Sequence, residues 1–182
     1  MMSAEELRRY LEFNNIDCTD YTDEDLEYLI EQKLNEIQSL TGVPIYPTEH
    51  TYVSRRFCDD YVILPHYPLL SIESMVFNGA TVEDEEYYTN DETGIIYFHK
   101  PHKGLLQIEY TVQLKESTIN SLINPLLNDM VVYELGKDSS TDATSIKEGD
   151  VSISYDPSLS LGASIQKQLD NLRNYTVRVK WL

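Results

Sequence analysis

Two stretches near the end of the chain, Gly149-Asp150-Val151-Ser152-Ile153-Ser154-Tyr155-Asp156 and Tyr175-Thr176-Val177-Arg178-Val179-Lys180-Trp181-Leu182, decide how the fold is read. From Glu116 onward the order is helix, polar loop, short strand, helix, bare strand. The polar loop runs Gly136-Lys137-Asp138-Ser139-Ser140-Thr141-Asp142-Ala143-Thr144-Ser145. The final segment alternates basic with apolar residues and holds the only Trp. As a strand it would turn Val177, Val179 and Trp181 one way and Arg178 and Lys180 the other. Such a strand needs an edge, because unpaired backbone groups and exposed apolar side chains are both costly. Its own sheet or another chain must supply that edge.

Working outward, Ser117 opens a helix carrying Ile119, Leu122, Ile123, Leu126, Leu127, Met130, Val131 and Val132. Pro125 should kink it or mark a later start, and Gly136 ends it. A helix follows the short strand, with Ile165, Leu169 and Leu172 at spacings of four and three, and ends near Asn174. At the N-terminus, Ser3 with Glu6 forms a capping box before Leu7, Tyr10 and Leu11. Thr22 and Asp25 cap a second helix with Leu26, Leu29, Ile30, Leu34, Ile37 and Leu40 on one side. Gly42 and Pro44 stop it.

Between these helices the texture turns to β. Val62-Ile63-Leu64 and Ser71 to Phe77 read as strands, and Asn78-Gly79 is a tight-turn signal. Tyr87-Tyr88 and Ile95 to Phe98 read as a hairpin, and Pro101 to Gly104 as a turn before a strand from Leu105 to Val112. The expected fold is α+β: a mainly helical core of about four helices, an inserted small antiparallel sheet, and a C-terminal strand. One domain spans 1–182, with N-terminal helices in 1–44, the β insertion in 45–112 and a core helix in 113–136. A flexible loop in 137–149 and the strand, helix and partner-binding strand of 150–182 complete it.

Length and charge narrow the function. A chain of 182 residues suits one domain and buries roughly 70% of its unfolded surface. The apolar fraction of 41% is slightly low, but Leu, Ile and Tyr are plentiful, which argues against disorder throughout. A net charge of −17 argues against neutralising nucleic-acid phosphates or docking on an anionic membrane. The 14 Tyr suit half-buried surfaces and interfaces. Cys18 and Cys58, with no signal peptide, suggest free thiols in a reducing cytoplasm. No apolar run is long enough to span a membrane.

The residues offer little chemistry. His99 and His102 are three apart with Pro101 between them, a weak metal signal. The acids from Asp17 to Asp25 lack the glycine and distal glutamate of a calcium loop. No phosphate loop, nucleophile elbow or dinucleotide fingerprint is present. No catalytic residue, metal or cofactor is expected.

The order of parts resembles the head-tail connector proteins of tailed viruses, also called adaptor or head-completion proteins. The resemblance rests on Asp23-Glu24-Asp25-Leu26 and Leu40-Thr41-Gly42 in the acidic helical start. It continues in Leu64-Pro65-His66-Tyr67-Pro68-Leu69-Leu70-Ser71-Ile72, Val76-Phe77-Asn78-Gly79, Thr93-Gly94-Ile95-Ile96-Tyr97 and Gly104-Leu105-Leu106-Gln107-Ile108-Glu109-Tyr110. It is most marked in Ile146-Lys147-Glu148-Gly149-Asp150-Val151-Ser152-Ile153-Ser154-Tyr155. The resemblance implies a non-enzymatic ring, usually twelvefold, made in the host cytoplasm and placed in the virion neck. It would dock on the portal, lengthen the DNA channel without binding DNA specifically, and carry the next neck or tail-completion protein. The portal contact would be Tyr175, Val177, Arg178, Val179, Lys180, Trp181 and Leu182. Lys137, Asp138, Ser139, Ser140 and Lys147 would form an assembly loop. The competing reading, from the charge alone, is an acidic monomeric module that mimics DNA to inhibit a basic protein.

Overall fold

The computed structural model describes residues 2–135, 145–148, 151–154 and 161–178; for 145–148, 151–154 and 175–178 it describes the backbone only. The chain divides into two units, a helical one (Met1–Val43 with Glu116–Leu182) and a sheet one (Pro44–Lys115).

In the helical unit, α1 (Ala4–Phe13) and α2 (Asp23–Thr41) each begin with a closed capping box. The Glu6 N–H donates to Ser3 Oγ at 3.3 Å and the Ser3 N–H to Glu6 Oε2 at 2.9 Å. Thr22 and Asp25 repeat the exchange at 3.2 and 2.9 Å. Each box satisfies two backbone donors that the first turn leaves open. Gly42 ends α2 in the left-handed region, φ 71°, with its N–H on the Gln38 carbonyl. The third helix, α3, spans 116–135 and contains a π-helical segment, Ile119–Ile123, just before Pro125. The Asn124 N–H reaches back five residues to the Ile119 carbonyl. The wider turn makes room for a proline ring that would strike the carbonyl four residues earlier. The fourth helix, α4, is Leu161–Arg178. Leu7, Leu11, Leu26, Leu34, Ile37, Ile123, Leu127, Val131, Ile165, Leu169 and Leu172 are buried in this unit.

In the sheet unit, β1 (Thr48–Ile63), β2 (Leu69–Phe77), β3 (Ala80–Thr81), β4 (Tyr87–Asn90) and β5 (Ile95–Val112) form one antiparallel sheet. The 18-residue β5 is its spine. Along one side it pairs with β1. Along the other it pairs with β4 near its start and β2 near its end. Asn78 and Gly79, both at positive φ, make the two-residue turn between β2 and β3. Alternate residues of β5, among them Ile96, Phe98, Leu106, Ile108, Tyr110 and Val112, join Phe57, Val62, Leu64, Leu69, Met75 and Val82 in one buried cluster. Two further short strands, β6 (Ser145–Glu148) and β7 (Val151–Ser154), pair antiparallel by themselves.

Two expectations fail here. The fold is α+β, but its core is the five-stranded sheet rather than a helical core with a small insertion. The C-terminal strand is not found where it is described: α4 continues through Tyr175, Thr176, Val177 and Arg178. Alternation there coincided with a helix that meets no glycine or proline after Gly162, and β-branched residues disfavour a helix only by tenths of a kcal/mol, roughly.

Candidate assembly surfaces

The residues expected to contact the portal and to form the assembly loop are only partly described. Tyr175, Val177 and Arg178 lie on the last turn of α4. Val179, Lys180, Trp181 and Leu182 lie outside the described residues, as do Lys137, Asp138, Ser139 and Ser140. Lys147 lies on β6, opposite Ser152.

What holds the base of α4 is well defined. Ile165, Leu169 and Leu172 are buried, and the Arg173 Nε donates to the Leu40 carbonyl at 2.8 Å. Gln168 Nε2 donates to Asp129 Oδ2 at 2.8 Å, and the Tyr10 hydroxyl lies 3.4 Å from Asp129 Oδ1. One carboxylate of α3 thereby ties α1 and α4. Burial, then the Asp129 charge and bond, raises the Tyr10 phenol above its ordinary value. Beside these contacts a cleft of about 330 Å³ is lined by Lys33, Glu36 and Leu40 of α2, Met130, Tyr133 and Glu134 of α3, and Ile165 and Leu169 of α4. Lys33 is ion-paired to Glu134 and, at 2.9 Å, to Glu36. Burial pulls its ammonium down, and the bonds to Glu134 and Glu36 more than offset that, so its pKa is raised. The cleft therefore holds a neutralised lysine rather than a free cation.

The sheet unit carries a second surface. On the face away from the core, Tyr88 stacks on Tyr97 at 4.9 Å and Tyr61 lies 6.4 Å from Tyr97 on the other side. Tyr61, Ile63 and Tyr88 are all exposed, so an apolar strip crosses β1, β5 and β4. The β1–β5 ladder is broken twice beside it. Arg55 and Arg56 together stand opposite Leu105, a β-bulge. Next, Asp60 stands opposite four residues, Phe98, His99, Lys100 and Pro101. Pro101 is tolerated in a strand because the ladder is already interrupted there. Lys103 faces Cys58 between the two breaks. Arg55, Arg56, Lys100 and Lys103 are exposed and make no ion pair among the described residues. Across β5 from β1, a 3-10 turn (Asp84–Glu86) preceded by Glu83 leads into β4, four consecutive acids without a cation partner among the described residues.

The histidines go separate ways. His50 and His66 stack at 3.9 Å beside buried Tyr110. His102 packs on Phe77 and Phe98, and His99 lies 6.0 Å from Tyr88. Among the described residues no three metal-ligating side chains converge, and no helix is long and apolar enough to cross a membrane. Sequence reasoning missed the bulge cations and the aromatic strip. The signal was Arg55-Arg56 and the repeated Tyr, but only the register shows that they share one sheet.

A family model described as head completion protein matches residues 1–145. A chain of the virion of a native gene transfer agent particle is 13% identical; the match covers 92% of this chain and 88% of that one, with a TM-score of 0.50. A chain of the neck of an empty gene transfer agent particle, computed with C6 symmetry, is 12% identical with the same coverage and a TM-score of 0.49. The likeness to the virion chain is one of fold. No curated protein matches in sequence. The family match stops short of Ile146 to Tyr155, the run that most suggested the resemblance. It does include both capped helices, the whole sheet and α3. Nothing in these matches favours the DNA-mimicking module. The chain belongs to the head completion protein family.

Proposed function

We propose that copies of this chain close into a ring, twelvefold in the virion, which seats beneath the portal and extends the DNA channel. The ring then presents a platform to the next neck or tail-completion protein, and it has no enzymatic turnover. Membership of the head completion family over residues 1–145 carries this reading. The surface supports it, because the exposed apolar strip and the two outer margins of the sheet suit contacts between copies. Tyr175, Val177, Arg178, Val179, Lys180, Trp181 and Leu182 make the portal contact. Lys137, Asp138, Ser139, Ser140 and Lys147 contribute to contacts between copies. A charge of −17 per copy gives roughly −200 for twelve, a field in which DNA slides without adhering.

The test is mass by light scattering, alone and with portal-bearing heads that lack tails. A ring in solution, or saturable binding at the portal vertex that truncation before Tyr175 abolishes, is the expected result. A chain that stays monomeric and ignores such heads at every salt and concentration overturns the reading.

A further inference from the structure

We infer that neighbouring copies meet through the two margins of the sheet unit, the bulged basic margin of one copy against the acidic run Glu83–Glu86 of the next. This rests on the ring reading and names the contact that would build it. β1 is a margin of the sheet, since only β5 pairs with it among the described residues. The bulges turn Arg55, Arg56 and Lys100 out of the ladder, and Lys103 stands between them opposite Cys58. Charged side chains at a bulged edge also stop indiscriminate strand pairing. The contact is therefore made by side chains and not by extending the sheet.

The partner's chemistry follows from these charges. Arg55, Arg56, Lys100 and Lys103 have no ion pair among the described residues of a chain of net charge −17, and Asp60 lies in the second break with Asp59 beside it. That mixture, on so acidic a protein, is poorly suited to phosphates, where affinity grows with the number neutralised. It suits a small carboxylate cluster. One of matching size, Glu83 to Glu86, lies on the other side of β5 in the same unit. Four adjacent like charges repel one another until a cation patch covers them. The two patches lie on opposite margins, so the contact is head-to-tail. Such contacts close into rings when the rotation fits.

A charge swap tests this. Variant A carries Arg55→Glu and Arg56→Glu, so both of its margins are acidic. Variant B carries Glu83→Lys, Glu85→Lys and Glu86→Lys, which leaves only Asp84 acidic in the run, so both are basic. Circular dichroism and thermal melts establish that each is folded. Self-association of wild type, A, B and an equimolar mixture is then followed by light scattering and native mass spectrometry, free and on tail-less heads. A and B alone should associate at least about tenfold more weakly than wild type, and the mixture should recover, alternating A with B. The assembled state of wild type should also weaken at high salt. If wild type assembles and A and B do so equally well, the margin contact is wrong and the ring stands. If A assembles normally but loses retention of double-stranded DNA, the basic patch serves DNA and the inference falls. If wild type never assembles, the ring reading falls first and the contact with it.

Discussion

Replacing Asn78 by Ala tests how the sheet is fastened at the bend of its longest strand. Asn78 holds a φ of 50°, and its side chain spans to β5. Its Oδ1 accepts from the Leu105 N–H at 2.8 Å, its Nδ2 donates to the Lys103 carbonyl at 3.3 Å, and its own N–H donates to the Leu105 carbonyl at 2.8 Å. Two exposed side-chain bonds are worth about 1 to 2 kcal/mol together. The left-handed backbone adds about 1 kcal/mol against alanine, which asparagine tolerates better. Asn78→Ala should therefore cost about 2 to 3 kcal/mol, and Asn78→Gly about 1 to 2, since glycine keeps the turn but not the bonds. Gly104 provides the check. A Cβ there would lie 2.1 Å from Asn78 Oδ1, and its φ of 146° disfavours any side chain. Gly104→Ala in the Asn78→Gly background should then cost less than in wild type, with a coupling of about 1 kcal/mol. Urea unfolding of the full chain, followed by fluorescence and circular dichroism, reads wild type and all four variants. Asn78→Ala and Asn78→Gly both within about 0.5 kcal/mol of wild type would refute the account of this fastening.

Ile108→Ala empties a fully buried position at the middle of the sheet and should destabilise by about 3 to 4 kcal/mol in the same unfolding assay. Asp129→Ala should cost about 1 to 3 kcal/mol by leaving Gln168 and Tyr10 without their acceptor. Absorbance titration should show the Tyr10 phenol moving back toward its ordinary value. Asp25 accepts from the Thr22 hydroxyl and N–H, which hold its carboxyl below the ordinary aspartate range. Its contribution is present above that range and lost as pH falls through the folded value. Carboxyl NMR should show Thr22→Ala raising that value, and an unmoved Asp25 would contradict the cap. Burial, then the bond to Asp84, pushes Tyr87 up to about 12. The stability it contributes is complete below the ordinary tyrosine value near 10 and disappears as pH rises toward 12, and Asp84→Asn should lower the end of that window in an ultraviolet titration.

Local signals predicted what local chemistry decides. Both capping boxes, the Gly42 stop and the Asn78-Gly79 turn are set by a few adjacent residues, and each was legible. The long strands were not. On β1 the positions that pair with the buried row of β5 are His50, Tyr52 and Ser54, opposite Tyr110, Ile108 and Leu106. A polar or half-polar inward row hides the period of two. Arg55-Arg56 and Asp59-Asp60 then read as a loop, although they mark the places where the ladder breaks. Pro101 read as a turn for the same reason. With β1 reduced to three residues and β5 cut in two, the sheet looked like an insertion rather than a core. The assembly surface was illegible in a deeper sense. Glu83–Glu86 and Arg55-Arg56 are separated by a run of sequence that says nothing about margins, and only the strand order sets them on opposite sides of β5.

The charge of the chain and the proposed contact pull in opposite directions, and that opposition has a use. Two free copies approach as bodies of −17 each, so at distance they repel. At physiological salt that repulsion is screened beyond about 8 Å, while a cation patch meeting a carboxylate cluster acts at contact. The encounter barrier thus falls mainly on free copies meeting at random. Copies held side by side by a common scaffold have already overcome it, and each closed margin then adds to the next as an effectively intramolecular event. The exposed Tyr61, Ile63 and Tyr88 sharpen the point, because an uncovered apolar strip invites association that the net charge holds back. A strongly acidic chain with one complementary pair of margins would therefore stay dispersed while free and assemble where heads present their portals. The consequence is measurable: raising salt moderately should speed association of free copies by screening the long-range repulsion, and raising it further should weaken the assembled state.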